Sequence, residues 1–228
     1  MALIQIKDLI KTYVDHGVEA PALRGVNLEI AGGEFTAIAG PSGSGKTTLL
    51  NIMGGLDRPT SGTVMVDGVD LGTLSRSALA EYRLHKVGFV FQSYNLIEVL
   101  TALENAEFVL LLQKVPKRER RARATEVLEA MGMAEYLHKR PNQLSGGQQQ
   151  RVAVARAIAH NPRIVLADEP TANLDSVTAS GLLDMMRGMN ERYGVTFIFS
   201  THDRLVMEKA RRVVLLRDGL VVQDERRG

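Results

Sequence analysis

The chain has 228 residues, of which 45% are hydrophobic and 24% charged, a composition typical of a globular protein with an ample core. Its 28 basic and 26 acidic residues leave a net charge of +2, too small to indicate a nucleic-acid or anionic-membrane partner. The lack of cysteine excludes disulfides, thiol catalysis and thiolate metal sites.

The beginning of the chain and its apolar runs bear on membrane insertion. The segment "MALIQIKDLI" carries charges too early for a signal peptide. The longest apolar runs, such as "FVLLL" at 108–112, fall far short of the roughly 20 residues that span a bilayer. We therefore expect that this chain does not cross a membrane alone.

Short apolar segments in the first hundred residues predict strands. Residues 26–30, "VNLEI", alternate between apolar and polar and predict a half-buried strand. A second strand, "FTAIAG" at 35–40, runs into a glycine-rich loop and then a helix from Lys46. "TVMVDG" at 63–68 predicts a strand that ends in an Asp-Gly turn, and "VGFVF" at 87–91 is a continuous apolar run.

Helical periodicity replaces these strand signals between residue 92 and about residue 160. One such period of apolar residues consists of Leu100, Leu103, Ala106 and Leu110. This block predicts a helical insertion in an α/β core. The basic run "KRERRAR" at 117–123 predicts a solvated helix face, because one short basic turn on a near-neutral chain is a poor footprint for nucleic acid.

The last helix of this block is predicted to begin at "LSGGQQQR", residues 144–151. Ser145 and Gln148 have the spacing of a capping box, which satisfies free amides in a first helical turn. Capping does not explain Gly146 and Gly147, since a glycine inside a helix costs about 1 kcal/mol relative to alanine. Bare amides at a helix N-terminus form an anion site, so the two glycines predict contact with an anion.

The final third of the chain returns to strand signals. "RIVLAD" at 163–168 and "TFIFS" at 196–200 are continuous apolar runs, which suit a parallel sheet buried on both faces. "VVLLRDGLVV" at 213–222 predicts a hairpin with an Asp-Gly turn. Strands on both sides of a helical block predict an α/β fold.

The segment "GPSGSGKT" at 40–47 fits the phosphate-binding pattern G-x-x-x-x-G-K-[ST] in full and lies between a predicted strand and a predicted helix. We expect its amides to surround a β-phosphate and Lys46 to bridge the β- and γ-phosphates as a point charge. The hydroxyl of Thr47 is placed to hold Mg²⁺, and Thr48 to reach the α-phosphate. The residues expected to contact nucleotide here are Gly40, Pro41, Ser42, Gly43, Ser44, Gly45, Lys46, Thr47 and Thr48.

Two carboxylates follow the apolar run at 164–167. Because ligands of open α/β sheets bind at the carboxyl edge of the strands, Asp168 is expected to hold magnesium through water at that edge. Glu169 is expected to polarise an attacking water. Adjacent acids in different environments allow one to hold metal while the other acts as a base.

In this order, and over essentially the whole chain, the motifs resemble those of the nucleotide-binding subunit of ATP-binding-cassette (ABC) transporters. Residues 40–47 resemble the Walker A loop, 144–148 are identical to the "LSGGQ" signature, and 164–168 resemble Walker B. "ANLD" at 172–175 resembles the D-loop. Single residues that match the family are the Q-loop residue Gln92 at the end of a strand, the catalytic glutamate Glu169, the switch histidine His202 and the adenine-stacking aromatic Tyr13.

The resemblance implies a P-loop NTPase core of the RecA type with a mainly parallel sheet, an N-terminal antiparallel β subdomain and an inserted helical subdomain. It implies a single ABC ATPase domain over residues 1–228. The catalytic core with the β subdomain would occupy 1–92 and 161–228, and the helical subdomain with the signature would occupy 93–160.

The resemblance further implies an ATPase that uses ATP and Mg²⁺ and pairs with a second copy of itself. In the family, two chains pack head to tail around two ATP molecules. The signature residues Ser145, Gly146, Gly147 and Gln148 of one chain would therefore contact the γ-phosphate that the other chain holds. The two glycines would let the backbone approach the phosphate oxygens.

The family also suggests a division of chemical roles. The expected magnesium ligands are Thr47, Gln92 and Asp168. Lys46 would stabilise charge on the transferred phosphoryl group, Glu169 would orient or deprotonate water, and His202 would contact the γ-phosphate. Phosphoryl transfer depends mostly on such positioning and electrostatics.

A membrane permease is the second partner that the resemblance implies, whereas no nucleic-acid partner is expected. In the family, a cytoplasmic helix of the permease docks beside the Q-loop, so "SYNLI" at 93–97 is the expected contact surface, although this cluster also suits core packing. The chain would thus lie at the cytoplasmic face of the inner or plasma membrane, held there by the permease.

Four longer segments resemble the branch that includes lipoprotein-releasing and macrolide-exporting systems. They are "GGLDRPTSG" at 54–62, "GFVFQSYNLI" at 88–97, "LTALENAE" at 100–107 and "LADEPTANLDS" at 166–176. The cell-division ATPase of the same wider group is a close relative and remains an alternative.

Two other classes of function compete with transport. An ABC-type ATPase acting on nucleic acid or the ribosome usually carries coiled-coil insertions, zinc sites or two cassettes in one chain, none of which this sequence contains. A P-loop kinase would have no use for "LSGGQ", and no lid arginines are evident between the two Walker motifs. The sequence therefore favours the transport ATPase.

Overall fold

The computed structural model describes residues 2–15 and 17–227. Within these residues the strands are β1 (Ala2–Asp15), β2 (Val18–Ala31), β3 (Phe35–Ala39), β4 (Ser61–Val66), β5 (Val69–Asp70), β6 (Val87–Val90), β7 (Ile164–Asp168), β8 (Thr196–Thr201), β9 (Arg212–Arg217) and β10 (Leu220–Arg226). The α-helices are α1 (Lys46–Met53), α2 (Arg76–Lys86), α3 (Ala102–Leu112), α4 (Lys117–Ala130), α5 (Gly146–Ile158), α6 (Ser176–Tyr193) and α7 (Arg204–Lys209). Short 3-10 turns cover Leu71–Thr73, Ala134–Tyr136 and Pro141–Gln143.

The strands form two sheets. An antiparallel sheet has the order β2-β1-β4-β5, and a mainly parallel sheet has the order β10-β9-β3-β8-β7-β6. In the second sheet, only β10 runs antiparallel to its neighbour, β9, among the described strands. This arrangement confirms the predicted α/β fold with a mainly parallel sheet and an N-terminal antiparallel β unit.

The central strands of the parallel sheet are buried on both faces, as their continuous apolar runs predict. In β3, Phe35, Ala37 and Ala39 face one hydrophobic cluster, which also contains the helices of the central block, while Ile38 faces a second cluster. The second cluster also holds the inner residues of the antiparallel sheet and of α1. The parallel sheet therefore lies between the two hydrophobic clusters.

The helical block lies between β6 and β7 along the chain, which confirms the predicted helices there. Helix α3 begins at Ala102 with Thr101 as its N-cap, so Leu100 precedes the helix rather than belonging to its apolar stripe. The basic run at 117–123 forms the first half of α4, whose buried residues lie further on, at Ala124, Val127 and Leu128. The division into subdomains at residues 92 and 160 stays a prediction. No helix within the described ranges is both long and apolar enough to cross a bilayer.

His160, just after α5, predicts a pH dependence of stability. Its side chain is buried, and neither ring nitrogen forms a hydrogen bond with a described residue. Burial lowers the pKa of His160 from 6.5 to about 4 and outweighs the opposing effect of the nearby backbone of Val87 and Arg156. The unfolded chain therefore binds a proton between these two pH values that the folded chain does not bind, so stability falls as the pH drops through this window.

Above about pH 6.5, His160 should not lower the free energy of unfolding. By about pH 4, its protonation in the unfolded chain should lower the free energy of unfolding by about 3 kcal/mol. Denaturant unfolding of the wild type and of His160→Phe at several pH values measures this difference. His138→Phe is the matched control, because His138 is exposed. Equal acid sensitivity of the wild type and His160→Phe would contradict the assignment.

Candidate functional site

The expected functional residues lie at one edge of the parallel sheet. Strands β3, β8, β7 and β6 are neighbours and run in the same direction, so their carboxyl ends meet there. The phosphate-binding loop follows β3, Asp168 ends β7, and His202 follows β8. This is the edge at which open α/β sheets bind ligands.

The phosphate-binding loop, residues 40–45, is held by close backbone contacts. Gly40 has a φ of 155°, and a Cβ there would lie 2.1 Å from the carbonyl oxygen of Leu216. Gly45 has a φ of 100° and is the N-cap of α1. Larger residues at these two positions would displace the loop.

Two polar side chains, Ser44 of the loop and Lys46 at the start of α1, fit a bound phosphate group. The ammonium of Lys46 donates hydrogen bonds to the carbonyl oxygens of Gly40 and Pro41, both at 2.9 Å, and the residue is buried. The hydroxyl of Ser44 is buried and has no hydrogen-bond partner among the described residues. A buried hydroxyl without a partner is costly, and a phosphate oxygen would satisfy it.

Thr47 and Asp168 form the candidate magnesium site. The Thr47 hydroxyl lies 3.1 Å from each carboxylate oxygen of Asp168. A hydroxyl and one carboxylate, with phosphate oxygens and water to complete the shell, are the ligands that Mg²⁺ prefers. The described residues contain no group of three or more His, Asp or Glu side chains that could hold a metal alone. The residues present therefore fit Mg²⁺ bound together with a nucleotide.

Glu169 is fixed by its backbone and by two neighbours from the end of β8. It adopts a φ of 46°, a left-handed conformation that is uncommon for glutamate and often marks functional sites. One carboxylate oxygen lies 2.7 Å from Nδ1 of His202, and the other accepts a hydrogen bond from Thr201 at 3.2 Å. Because a carboxylate only accepts, Nδ1 of His202 carries a proton in this contact.

Gln92 lies at the same edge but not at a strand end. Strand β6 ends at Val90, and Gln92 falls in an exposed turn two residues later, which corrects the expected position. Its carbonyl oxygen accepts a hydrogen bond of 2.9 Å from the side-chain amide of Asn173. This bond joins the turn to the 172–175 segment.

Tyr13 lies near the loop, on the antiparallel sheet. Its hydroxyl donates to Asp57 at 2.8 Å and lies 3.5 Å from the Thr48 hydroxyl. The ammonium of Lys11 lies 4.7 Å from the ring centroid and covers one face. Stacking of an adenine on the ring stays a prediction, because no contact in the structure tests it.

The signature segment begins α5, and the predicted capping box is present. The amide of Gln148 donates to the Ser145 hydroxyl at 3.3 Å, and the Gln148 side chain accepts from the Ser145 amide at 2.8 Å. Packing within the chain also favours glycine at these two positions. A Cβ at Gly146 would lie 2.8 Å from the Tyr94 hydroxyl, and a Cβ at Gly147 would lie 2.6 Å from the Thr178 methyl. Packing within the chain thus limits the side chain at both positions, and contact with an anion stays a prediction.

The 93–97 loop is held by Arg156, a residue that the sequence analysis does not identify. Tyr94 and Asn95 have consecutive left-handed conformations, with φ of 58° and 50°. The Arg156 guanidinium donates to both of their carbonyl oxygens. A conformation that most residues avoid is thereby fixed by one half-buried cation from α5.

A groove of about 440 Å³ opens beside this loop. Phe89 and Phe91 stack within it, with ring centroids 5.8 Å apart. The groove is also lined by three residues of α3, Phe108, Val109 and Leu112. Its other lining residues include Leu56, Arg83, Leu84, Val87, Asn95, Ile97, Arg156 and His160. An open apolar groove of this kind suits a helix with an apolar face.

Comparison with known proteins agrees with this geometry. The family model described as ABC transporter matches residues 23–172. The macrolide export ATP-binding/permease protein MacB of Syntrophobacter fumaroxidans is 48% identical over 97% of this chain, which spans 31% of that longer protein. The lipoprotein-releasing system ATP-binding protein LolD of Anaeromyxobacter dehalogenans is 46% identical over 97% of this chain and 93% of its own length.

Among solved structures, the ATP-binding cassette MJ0796 of Methanocaldococcus jannaschii is similar over the whole chain. Its dimeric post-hydrolysis state, bound to ADP and Pi, shares 46% sequence identity over 99% of both chains, with a TM-score of 0.90. Identity at this level indicates a common fold and common local geometry along the entire chain.

Proposed function

The chain belongs to the family of ABC transporter ATP-binding proteins, and from that premise we propose that it powers an export-type transporter as a homodimer bound to a membrane permease. As a member of this family, it binds and hydrolyses ATP. The observation that carries the proposal is the meeting of the phosphate loop, the Thr47–Asp168 pair and the Glu169–His202 pair at one sheet edge.

The side chains at this edge have complementary roles in phosphoryl transfer. Lys46 exchanges the loop carbonyls for phosphate oxygens and neutralises their charge. Glu169 orients the attacking water and accepts its proton, and the protonated Nδ1 of His202 is available to a γ-phosphate oxygen once it leaves Glu169. Thr47, Asp168 and Gln92 would hold Mg²⁺, which would supply further charge neutralisation when bound.

Head-to-tail pairing explains why the signature lies at an exposed helix start. Ser145 and the first turn of α5 present a positive helix end to solvent. In the proposed dimer this end contacts the γ-phosphate in the partner's loop, so ATP joins the two chains and hydrolysis weakens the contact. The dimeric cassette of Methanocaldococcus jannaschii, with 46% sequence identity, supports the pairing of two copies.

Gly146 allows intrachain crowding to be separated from contact with the partner's nucleotide. Gly146→Ala should lower the free energy of unfolding by less than about 1 kcal/mol, because the Tyr94 hydroxyl that its Cβ would meet is the far end of a side chain that can shift and because alanine favours a helix more than glycine does. Adding Tyr94→Phe removes that hydroxyl and should relieve the close contact. It should not restore ATP turnover, since the methyl group still covers the surface that the second nucleotide contacts.

Thermal unfolding and steady-state ATP hydrolysis of the single and double variants measure the two effects. Gly181→Ala in α6 is the matched control, because no atom lies within 4 Å of a Cβ at that helical glycine. Recovery of full turnover in the double variant would assign Gly146 to intrachain packing alone and would argue against the shared site.

We assign the permease contact to the groove beside the 93–97 loop. Asn95 and Ile97 of the loop line the groove together with the apolar side chains of α3 and β6. A cytoplasmic helix of the permease would bury this apolar surface. Because the 93–97 loop directly follows the turn at Gln92, a movement of that turn would displace the helix. The chain would then lie at the cytoplasmic face of the membrane.

The relatives favour the lipoprotein-releasing and macrolide-exporting branch. LolD and MacB are 46% and 48% identical to this chain over nearly all of its length. The cell-division ATPase is the alternative within the same wider group. The identity of the captured permease decides between them.

The experiment is capture of the permease from detergent-solubilised membranes with the tagged chain, followed by identification of the co-purifying membrane protein. Phe108→Asp, which places a charge in the groove, should reduce capture at least about tenfold. Val99→Asp is the matched control, because Val99 is exposed and does not line the groove. Equal capture by both variants would mean that the groove does not bind the permease. Co-purification of ribosomes or DNA in place of a permease would contradict the transport function.

A further inference from the structure

The turn between α3 and α4 carries a surface of which the proposed function uses only Leu112, a residue of the groove. Leu111 and Leu112 end α3 with exposed fractions of 46% and 52%, although leucine usually lies inside. Lys114, Lys117 and Arg118 follow and are exposed. We call these five residues the Leu-Lys patch.

The cations of the patch are not engaged elsewhere in the described part of the chain. Arg120 and Arg121, the next two basic residues, form ion pairs with Glu107. Lys114, Lys117 and Arg118 form no ion pair or side-chain hydrogen bond with any described residue. Residues 111–121 contain five basic residues and one acidic residue, so this segment alone carries more net positive charge than the whole chain, whose net charge is +2.

The patch is continuous with the groove assigned to the permease. Leu112 belongs to both surfaces, and Phe108 and Val109 of the same helix line the groove one turn earlier. If a permease helix fills the groove, the end of α3 and the start of α4 lie beside that helix and therefore close to the membrane. The position of the patch close to the membrane therefore rests on the proposed function.

We propose that the Leu-Lys patch binds the surface of an anionic lipid bilayer. Lysines and arginine beside exposed leucines have the chemistry of interfacial binding, in which cations pair with lipid phosphates and apolar side chains enter the headgroup region. A nucleic-acid surface would instead require a longer basic stripe or aromatic stacking groups. The small net charge of the chain does not oppose this, because lipid attraction is local within a Debye length.

Co-sedimentation with vesicles tests the proposal without a permease. The wild type should bind vesicles of equal parts phosphatidylglycerol and phosphatidylcholine at 50 mM salt, and binding should weaken at 500 mM salt. Lys117→Glu with Arg118→Glu should weaken binding at least about tenfold, since each cation near an anionic surface contributes roughly fivefold. Leu111→Ser with Leu112→Ser should weaken it at constant charge, which a purely electrostatic contact would not do.

The matched control is Lys7→Glu with Arg24→Glu, which reverses two exposed cations on β1 and β2 of the other sheet. Equal loss of binding in this control, or equal binding of the wild type to pure phosphatidylcholine, overturns the proposal. Loss of permease capture with unchanged vesicle binding in the charge variant also overturns it and makes the patch a protein contact. A failed capture experiment leaves the vesicle result readable, so the two proposals fail separately.

Discussion

Replacing Glu169 with Gln should reduce ATP turnover at least about 100-fold while ATP binding persists, because a general base contributes roughly that factor or more. Glutamine has nearly the same shape and can still accept the hydrogen bond from Thr201. It cannot take a proton from water. It also removes a negative charge near the γ-phosphate, so the ATP-bound dimer should accumulate.

Steady-state hydrolysis and size-exclusion chromatography in the presence of ATP measure the two halves of this prediction. Glu208→Gln makes the same chemical change on α7, where Glu208 pairs with the exposed Arg204, and should leave both readouts unchanged. Normal turnover in Glu169→Gln would exclude Glu169 as the base. A variant that stays monomeric with ATP bound would argue against the shared site.

The fold of the parallel sheet follows closely from the sequence because its signals are local. Strands β3 and β8 are runs in which every residue is buried, and the Asp218-Gly219 turn joins β9 to β10. Strand β1 lacks such a signal. Its pairing register shifts between Ile6 and Leu9, where Asp8 has a φ of 47°, and this irregularity breaks the alternation that would have predicted a strand.

Helix α6 is likewise absent from the predicted elements. Gly181 and Gly188 within it reduce helical propensity. The helix is instead stabilised by Asp175, whose side chain accepts from the amides of Val177 and Thr178, and by buried apolar residues that only tertiary packing brings together. Packing against the sheet thus overrides the local preference.

The candidate site shows the same division between local and distant information. The motif residues are recognisable because their spacing within a segment carries the chemistry, as in residues 40–47. Arg156 holds carbonyl groups more than 60 residues away along the chain, and the Tyr94 hydroxyl limits the space at Gly146. Such contacts depend on how α5 packs against the 93–97 loop, and no pattern within either segment contains that information.

Replacing Lys46 with Met should weaken ATP binding roughly 100-fold and abolish measurable turnover. Methionine keeps most of the apolar stem that packs in the buried loop but removes the ammonium. A hydrogen-bonded charge pair with a phosphate is worth about 2–4 kcal/mol, which corresponds to this loss of affinity. Turnover falls further, because the same charge stabilises the transferred phosphoryl group.

Titration with a fluorescent ATP analogue measures the affinity, and thermal unfolding without nucleotide verifies the fold. The second measurement is needed because the carbonyl oxygens of Gly40 and Pro41 lose their donor in the variant. Lys7→Met, an exposed lysine on β1, is the matched control and should bind ATP like the wild type. ATP affinity within threefold of the wild type in a folded Lys46→Met chain would contradict the phosphate-bridging role, since the ammonium would then serve only to hold the loop.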